Sequence, residues 1–162
     1  MAIAAAPGVG VDDRAEIDID APPAMVWALV ADIGNMQRWS PETYRTEWLD
    51  GATAAAVGAR FRGWNRWRGV RWATFCEVEV CEPGREFTFS TRFWGRPGTR
   101  WSYTFAAGAA GGTHVTETRR QVHQPLYARL AYLTVLRGHT ATFRPAMVET
   151  LQRIKAAAEA AA

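Results

Sequence analysis

Glu117 and Arg119 stand two apart in the run Thr113, Val115, Glu117, Arg119, Gln121, so a strand there turns both toward one face. A carboxylate removed from water beside a guanidinium can polarise a carbonyl or move a proton. The plainer reading is a structural ion pair, because buried charges are tolerated only when paired. Tyr103 joins them as the third catalytic candidate, and Asn65 and Tyr44 could likewise donate hydrogen bonds to a ligand oxygen or serve as satisfied core groups. His139 falls on an apolar helical stripe, while His114 and His123 lie on or just past a strand. No pair of these has ligand spacing and neither Cys76 nor Cys81 has a histidine beside it, so no metal is expected. No cofactor is expected either, since glycine-rich phosphate loops, Gly-x-Ser-x-Gly elbows and Cys-His signatures are missing.

The elements that must position these groups follow from periodicity. A strand over residues 14–20 leads through Ala21-Pro22-Pro23 into a helix with Met25, Val26, Leu29 and Val30 on one stripe. Gly34 ends it, a short helical turn carries Met36 and Trp39, and Ser40-Pro41 stops that turn. Strands then follow one another. From about Thr43 to Leu49 runs one; next Phe61, Gly63, Asn65 and Trp67 alternate with Arg60, Arg62, Trp64 and Arg66, and Arg68-Gly69 turns the chain. The return strand puts Val70, Trp72, Thr74, Cys76, Val78 and Val80 inward and brings Arg60 or Arg62 opposite Glu77 or Glu79. Phe87, Phe89, Thr91 and Phe93 share the next inner face, Gly95-Arg96-Pro97-Gly98 reads as a turn, and Trp101, Tyr103 and Phe105 face inward after it. Cys76 and Cys81, an odd number apart, should take opposite faces and remain unbridged. From Pro125 the spacing becomes helical through Leu126, Leu130, Leu133 and Leu136. A terminal helix then carries His139, Phe143, Met147, Leu151 and Ile154 on one stripe, with Pro145 either kinking it or starting its final portion.

These elements give an α+β fold: a curved seven-stranded antiparallel sheet wrapped around one long C-terminal helix, with two short helices after the first strand. Residues 1–13 read as a flexible tail and 14–162 as one domain. A single helix is the only sizeable cover for a face this rich in rings, so space for a guest is expected between them, with a solidly packed core as the alternative. Phe61, Asn65, Trp67, Trp72, Phe87, Phe89, Trp101, Tyr103, Phe105, His139, Phe143 and Met147 are the expected ligand-binding residues.

Composition narrows the class of partner. The chain has 162 residues, is 48% hydrophobic and carries a net charge of +3. Eighteen arginines against the single Lys155 is a bias that G- and C-rich coding also produces, so it does not mark nucleic-acid binding. The run "RFRGWNRWRGVRW" mixes arginines with rings, but its alternation makes it an outer sheet surface with cation-π packing. Docking of a protein partner or an anionic membrane to that surface ranks below simple solvation. No apolar run is long enough to span a bilayer, so the expectation is a cytoplasmic protein without stable membrane insertion. A homodimer is left open.

The order of elements, together with "APPAMVWALVADIGNMQRWSP", "VGARFRG", "RWSYTF" and "GGTHVTE", resembles the START-like, Bet v 1-like superfamily (SRPBCC), and within it the bacterial polyketide cyclase/dehydrase group. The resemblance covers about residues 14 to 160. It implies a helix-grip fold whose pocket takes a lipid, polyketide or similar apolar molecule without a metal. Some members of that group cyclise or dehydrate, and many only bind. For this chain the resemblance points first to binding and second to a cyclase or dehydratase in which Arg119 or Tyr103 polarises a carbonyl while Glu117 shuttles a proton.

Overall fold

The computed structural model describes residues 12–162. Seven strands, β1 (Asp12–Ile19), β2 (Thr43–Trp48), β3 (Arg60–Trp67), β4 (Val70–Glu82), β5 (Glu86–Phe93), β6 (Arg96–Ala107) and β7 (Thr113–Gln121), form one sheet. Its order is β1-β7-β6-β5-β4-β3-β2 and every pair is antiparallel. Helices α1 (Pro23–Ala31) and α2 (Met36–Trp39) follow β1; α3 (Leu126–Leu133) and α4 (Phe143–Ala161) close the chain. This is the helix-grip architecture, with α4 lying across the concave face.

Local chemistry explains most boundaries. Pro23 opens α1, where its missing N–H is no loss. Pro145 is the third residue of α4, inside the first turn, so it takes the second expected role: a 3-10 turn over His139–Thr142 carries His139, and the α-helix starts after it. Phe143, Met147, Leu151, Ile154 and Ala158 are the buried stripe of α4. Arg68 and Gly69 turn β3 into β4 with φ of 45° and 83°. Trp94 and Gly95 do the same between β5 and β6 with φ of 48° and 79°. The turn expected at Gly95 to Gly98 is therefore shorter and earlier, and Arg96, Pro97 and Gly98 belong to β6.

Irregular pairing bends the sheet, with register shifts between Thr43 and Arg45, Val78 and Val80, and Ser90 and Arg92. The second shift corrects the cysteine reading: the extra residue places Cys81 opposite Phe87, on the same concave face as Cys76, and both thiols are free. The first sends Tyr44 outward, where its ring meets Arg66 and Arg71 at 5.7 and 6.0 Å. Asp12 and Asp13, read as tail, belong to β1 and stand opposite Arg120 and Arg119; the rest of that tail lies outside the described residues.

Arg60 stands opposite Glu77 as the alternation implies, yet the ion pairs run elsewhere. Arg60 meets Asp50 and Arg62 meets Glu47, while Glu77 and Glu79 take Arg92 and Arg100. The exposed pair Arg60–Asp50 contributes little, while Arg92 and Glu79 are more covered, at 20% and 18% exposure. Arg45 and Arg62 pack over Trp64 at 4.4 and 5.3 Å, which fits a solvated outer surface.

Candidate functional site

The concave face divides into a filled half and an open half. Val78, Phe87, Phe105 and Val115 pack with Leu151 and Ala158 at one end, all buried. Toward the other end Phe61, Gly63, Asn65, Trp72, Thr74, Cys76, Phe89, Thr91, Trp101, Tyr103, Glu117 and Arg119 surround a cavity of about 160 Å³, closed by Phe143, Met147 and Ile154 of α4. Each strand enters the open half by stepping two residues along its inner face. Gly63, Thr74 and Thr91 leave room there, where larger inward residues would fill the space.

Inside, Tyr103 and Glu117 face each other across the β6–β7 ladder, and the Tyr103 hydroxyl donates to Glu117 Oε1 at 2.7 Å. Glu117 Oε2 is buried without a partner. Burial pushes the Glu117 carboxyl up to about 8, against the opposing pull of the Tyr103 hydrogen bond. Burial, then the neighbouring carboxylate, drives the Tyr103 phenol well above its usual value. At neutral pH Glu117 is therefore mostly the neutral acid, with a proton to offer from its unpartnered side.

Arg119 does not pair with Glu117. Its Nη1 donates to Asp13 on β1 at 3.0 Å and its Nη2 to Gln121 at 2.9 Å, while its Cζ lies 3.9 Å from the Phe143 ring centre. Asp13, set in the expected tail, could not have been read as this partner. The guanidinium is thus neutralised and fixed, and only its Nε lacks an acceptor. Asn65 is likewise committed, accepting from Thr43 at 2.7 Å and donating to Thr74 at 3.3 Å.

Also lining the cavity, buried His139 is caged by Trp67, Trp72, Tyr132 and Phe143, with ring centres 4.7 to 5.8 Å away. Its Nε2 lies 2.6 Å from Glu42 Oε1, but the approach is off the N–H direction and neither ring nitrogen has a directed hydrogen bond. Burial pushes the nearby Tyr132 phenol up to about 12.

Of the expected ligand-binding residues, Phe87 and Phe105 sit in the filled half and Trp67 stands behind His139; the other nine border the cavity. Sequence reasoning missed Glu42, Tyr132, Trp39, Thr99, Ala146 and Thr150. Ala146 and Thr150 were findable, since they adjoin the apolar stripe of α4. Glu42 and Tyr132 come from a loop and from the side of α3 that its leucine stripe does not include. Among the described residues no three His, Cys, Asp or Glu side chains gather as a metal centre.

No curated protein matches the chain by sequence. Solved structures do share its fold. TTHA0849 from Thermus thermophilus is 18% identical with a TM-score of 0.68, covering 94% of this chain and 99% of that one. The Polyketide_cyc-like protein Cgl2372 from Corynebacterium glutamicum is 28% identical with a TM-score of 0.61, covering 92% and 91%. BexL, a di-domain ARO/CYC protein of the BE-7585A biosynthetic pathway, is 19% identical with a TM-score of 0.61 over 90% of this chain and 45% of its own. The pattern of one family runs through residues 12–159, nearly every strand and helix described above, and the chain belongs to that family: polyketide cyclase / dehydrase and lipid transport.

Proposed function

We propose that the protein binds a small apolar ring molecule in the cavity between the sheet and α4, with neutral Glu117 donating a hydrogen bond to an oxygen of the guest. The observation that carries this reading is the unpartnered Oε2 of Glu117, buried on the wall of a cavity of about 160 Å³. An apolar cavity of roughly 150 Å³ holds a benzene ring, so one or two fused rings with a carbonyl or hydroxyl are the fitting class. Apolar contact against Phe61, Phe89, Trp101 and Met147 supplies affinity at about 25 cal/mol per Å² buried, and the single acid sets orientation. A bicyclic aryl ketone such as tetralone, titrated while tryptophan fluorescence is followed, should bind saturably and weaken as pH rises through about 8, where Glu117 gives up its proton. Native mass spectrometry should find a small molecule retained on freshly purified protein. Neither saturable binding nor a retained mass would defeat the proposal.

The same neutral acid favours a second reading, a cyclase or dehydratase. Glu117 would give its proton to a ligand carbonyl oxygen, and the carboxylate so formed, steadied by the Tyr103 hydrogen bond, would take the proton from the carbon beside that carbonyl, leaving an enol and restoring the neutral acid. Arg119, already held by Asp13 and Gln121, would act on the guest only through its field. Turnover of a cyclisable diketone should fall in Glu117→Gln and in Tyr103→Phe; unchanged turnover in both removes these roles.

A further inference from the structure

Helix α3 wears its apolar side on the outside. None of its residues is buried, and Leu126 is 69% exposed, Leu130 53% and Leu133 47%. The sequence periodicity reads a helix here without saying which way the stripe faces. The inner side is made by Ala128, Ala131 and Tyr132, and Tyr132 borders the cavity. Beside the outer side stands Trp94, 84% exposed at the β5–β6 turn, its ring edge-on to Tyr127 at 5.5 Å. Trp94 holds this position with φ of 48°, a conformation costly for a bulky residue, so the turn keeps a large ring in water at the expense of strain.

The charge around this face has one sign. Residues 118–148 contain no aspartate or glutamate, and of their five arginines Arg119 is buried against Asp13 and Arg120 meets Asp12, which leaves Arg129, Arg137 and Arg144 exposed. Arg129 and Arg137, in and just after α3, and Arg96, next to the Trp94 turn, are all exposed. Leucines with tryptophan and tyrosine, edged by arginine, match the composition of surfaces that lie on anionic bilayers, and the acid near α3, Glu42, reaches Tyr132 on its inner side. A second copy of the chain fits worse: a two-fold contact through this face sets arginines against arginines.

We infer that α3 and the Trp94 turn form a peripheral docking face for an anionic phospholipid bilayer. Docking would place the bilayer on the outer side of the helix whose inner side borders the cavity. An apolar guest would then have only α3 to pass. This is docking on the surface; no described helix is long and apolar enough to cross a membrane. The inference stands apart from the cavity's occupant, because bilayer binding is read without any guest present.

The test is co-sedimentation with vesicles of phosphatidylcholine plus phosphatidylglycerol, against vesicles of phosphatidylcholine alone. The protein should bind the anionic vesicles, and added salt should weaken that binding. The pair Arg129→Glu and Arg137→Glu should lower partitioning tenfold or more, as should Leu126→Ser with Leu130→Ser. These side chains are exposed, so the unfolding midpoint should not move. Trp94→Ser, on a separate turn, provides an independent variant and should also weaken binding. No binding, equal binding to both vesicles, or binding that survives all three variants overturns the inference. So does a solution dimer that the same substitutions dissociate, which would assign the face to a second copy.

Discussion

Glu117 occupies a site where its charged form has one hydrogen bond to gain and its whole hydration shell to lose. The consequence is a stability that depends on pH in the direction opposite to that of a salt-bridged carboxylate. Its folded value, pushed up to about 8, lies above the 4.5 of the unfolded chain, so between these limits the folded state holds more protons and stability falls as pH rises. At 1.36 kcal/mol per pH unit across that window, the loss is on the order of 5 kcal/mol. Glu117→Gln keeps the acceptor for Tyr103 and removes the titration. Urea unfolding of the variant should therefore lose less stability from pH 5 to pH 8 than the parent does; parallel curves would mean that Glu117 ionises normally. Arg119 shows the other way to keep a polar group in the interior. Its charge persists because Asp13 and Gln121 meet it, and the guest gains little from a cation already spoken for.

Gly98 shows how closely the elements must approach at the edge of the cavity. A Cβ built there would lie 2.3 Å from the Phe93 ring and 2.7 Å from Thr91 Oγ1. Its carbonyl meanwhile accepts from the backbone of Val122 and His123 and from Gln121, so the strand cannot back away. Gly98→Ala must push the Phe93 ring off β6 and spoil its edge contact with Tyr127 at 6.0 Å. A loss of about 1–3 kcal/mol in urea unfolding is expected; a change within about 0.5 kcal/mol would show that the ring yields freely. Alternation in β3, β5, β6 and β7 made the inner rings and the Glu117 face legible, because a period of two leaves only two choices and the apolar set decides between them. The bulges were not legible, since one inserted residue leaves no compositional trace, and they moved Cys81 inward and Tyr44 outward. The outward face of helix α3 was not legible for another reason. Periodicity marks an apolar stripe but carries no information on whether protein or something else covers it.

Across the whole molecule, one end of the sheet's concave face is filled while the other, though lined by rings, keeps room at Gly63, Thr74 and Thr91. An open interior forgoes dispersion contacts that a packed one would make, so the unliganded fold is less stable than its size permits. A guest restores those contacts, and ligand at a hundred times its dissociation constant should stabilise the fold by about 2.7 kcal/mol. For a chain of this length that is a rise of roughly 5–10 °C in the unfolding midpoint. Ala146 borders the cavity from α4. Ala146→Phe puts a ring where the guest's ring would lie. The unliganded variant should melt no lower than the parent, and tetralone should no longer raise its midpoint. If the ketone stabilised parent and variant equally, the guest would be binding outside this cavity, and the open half of the sheet would need another explanation.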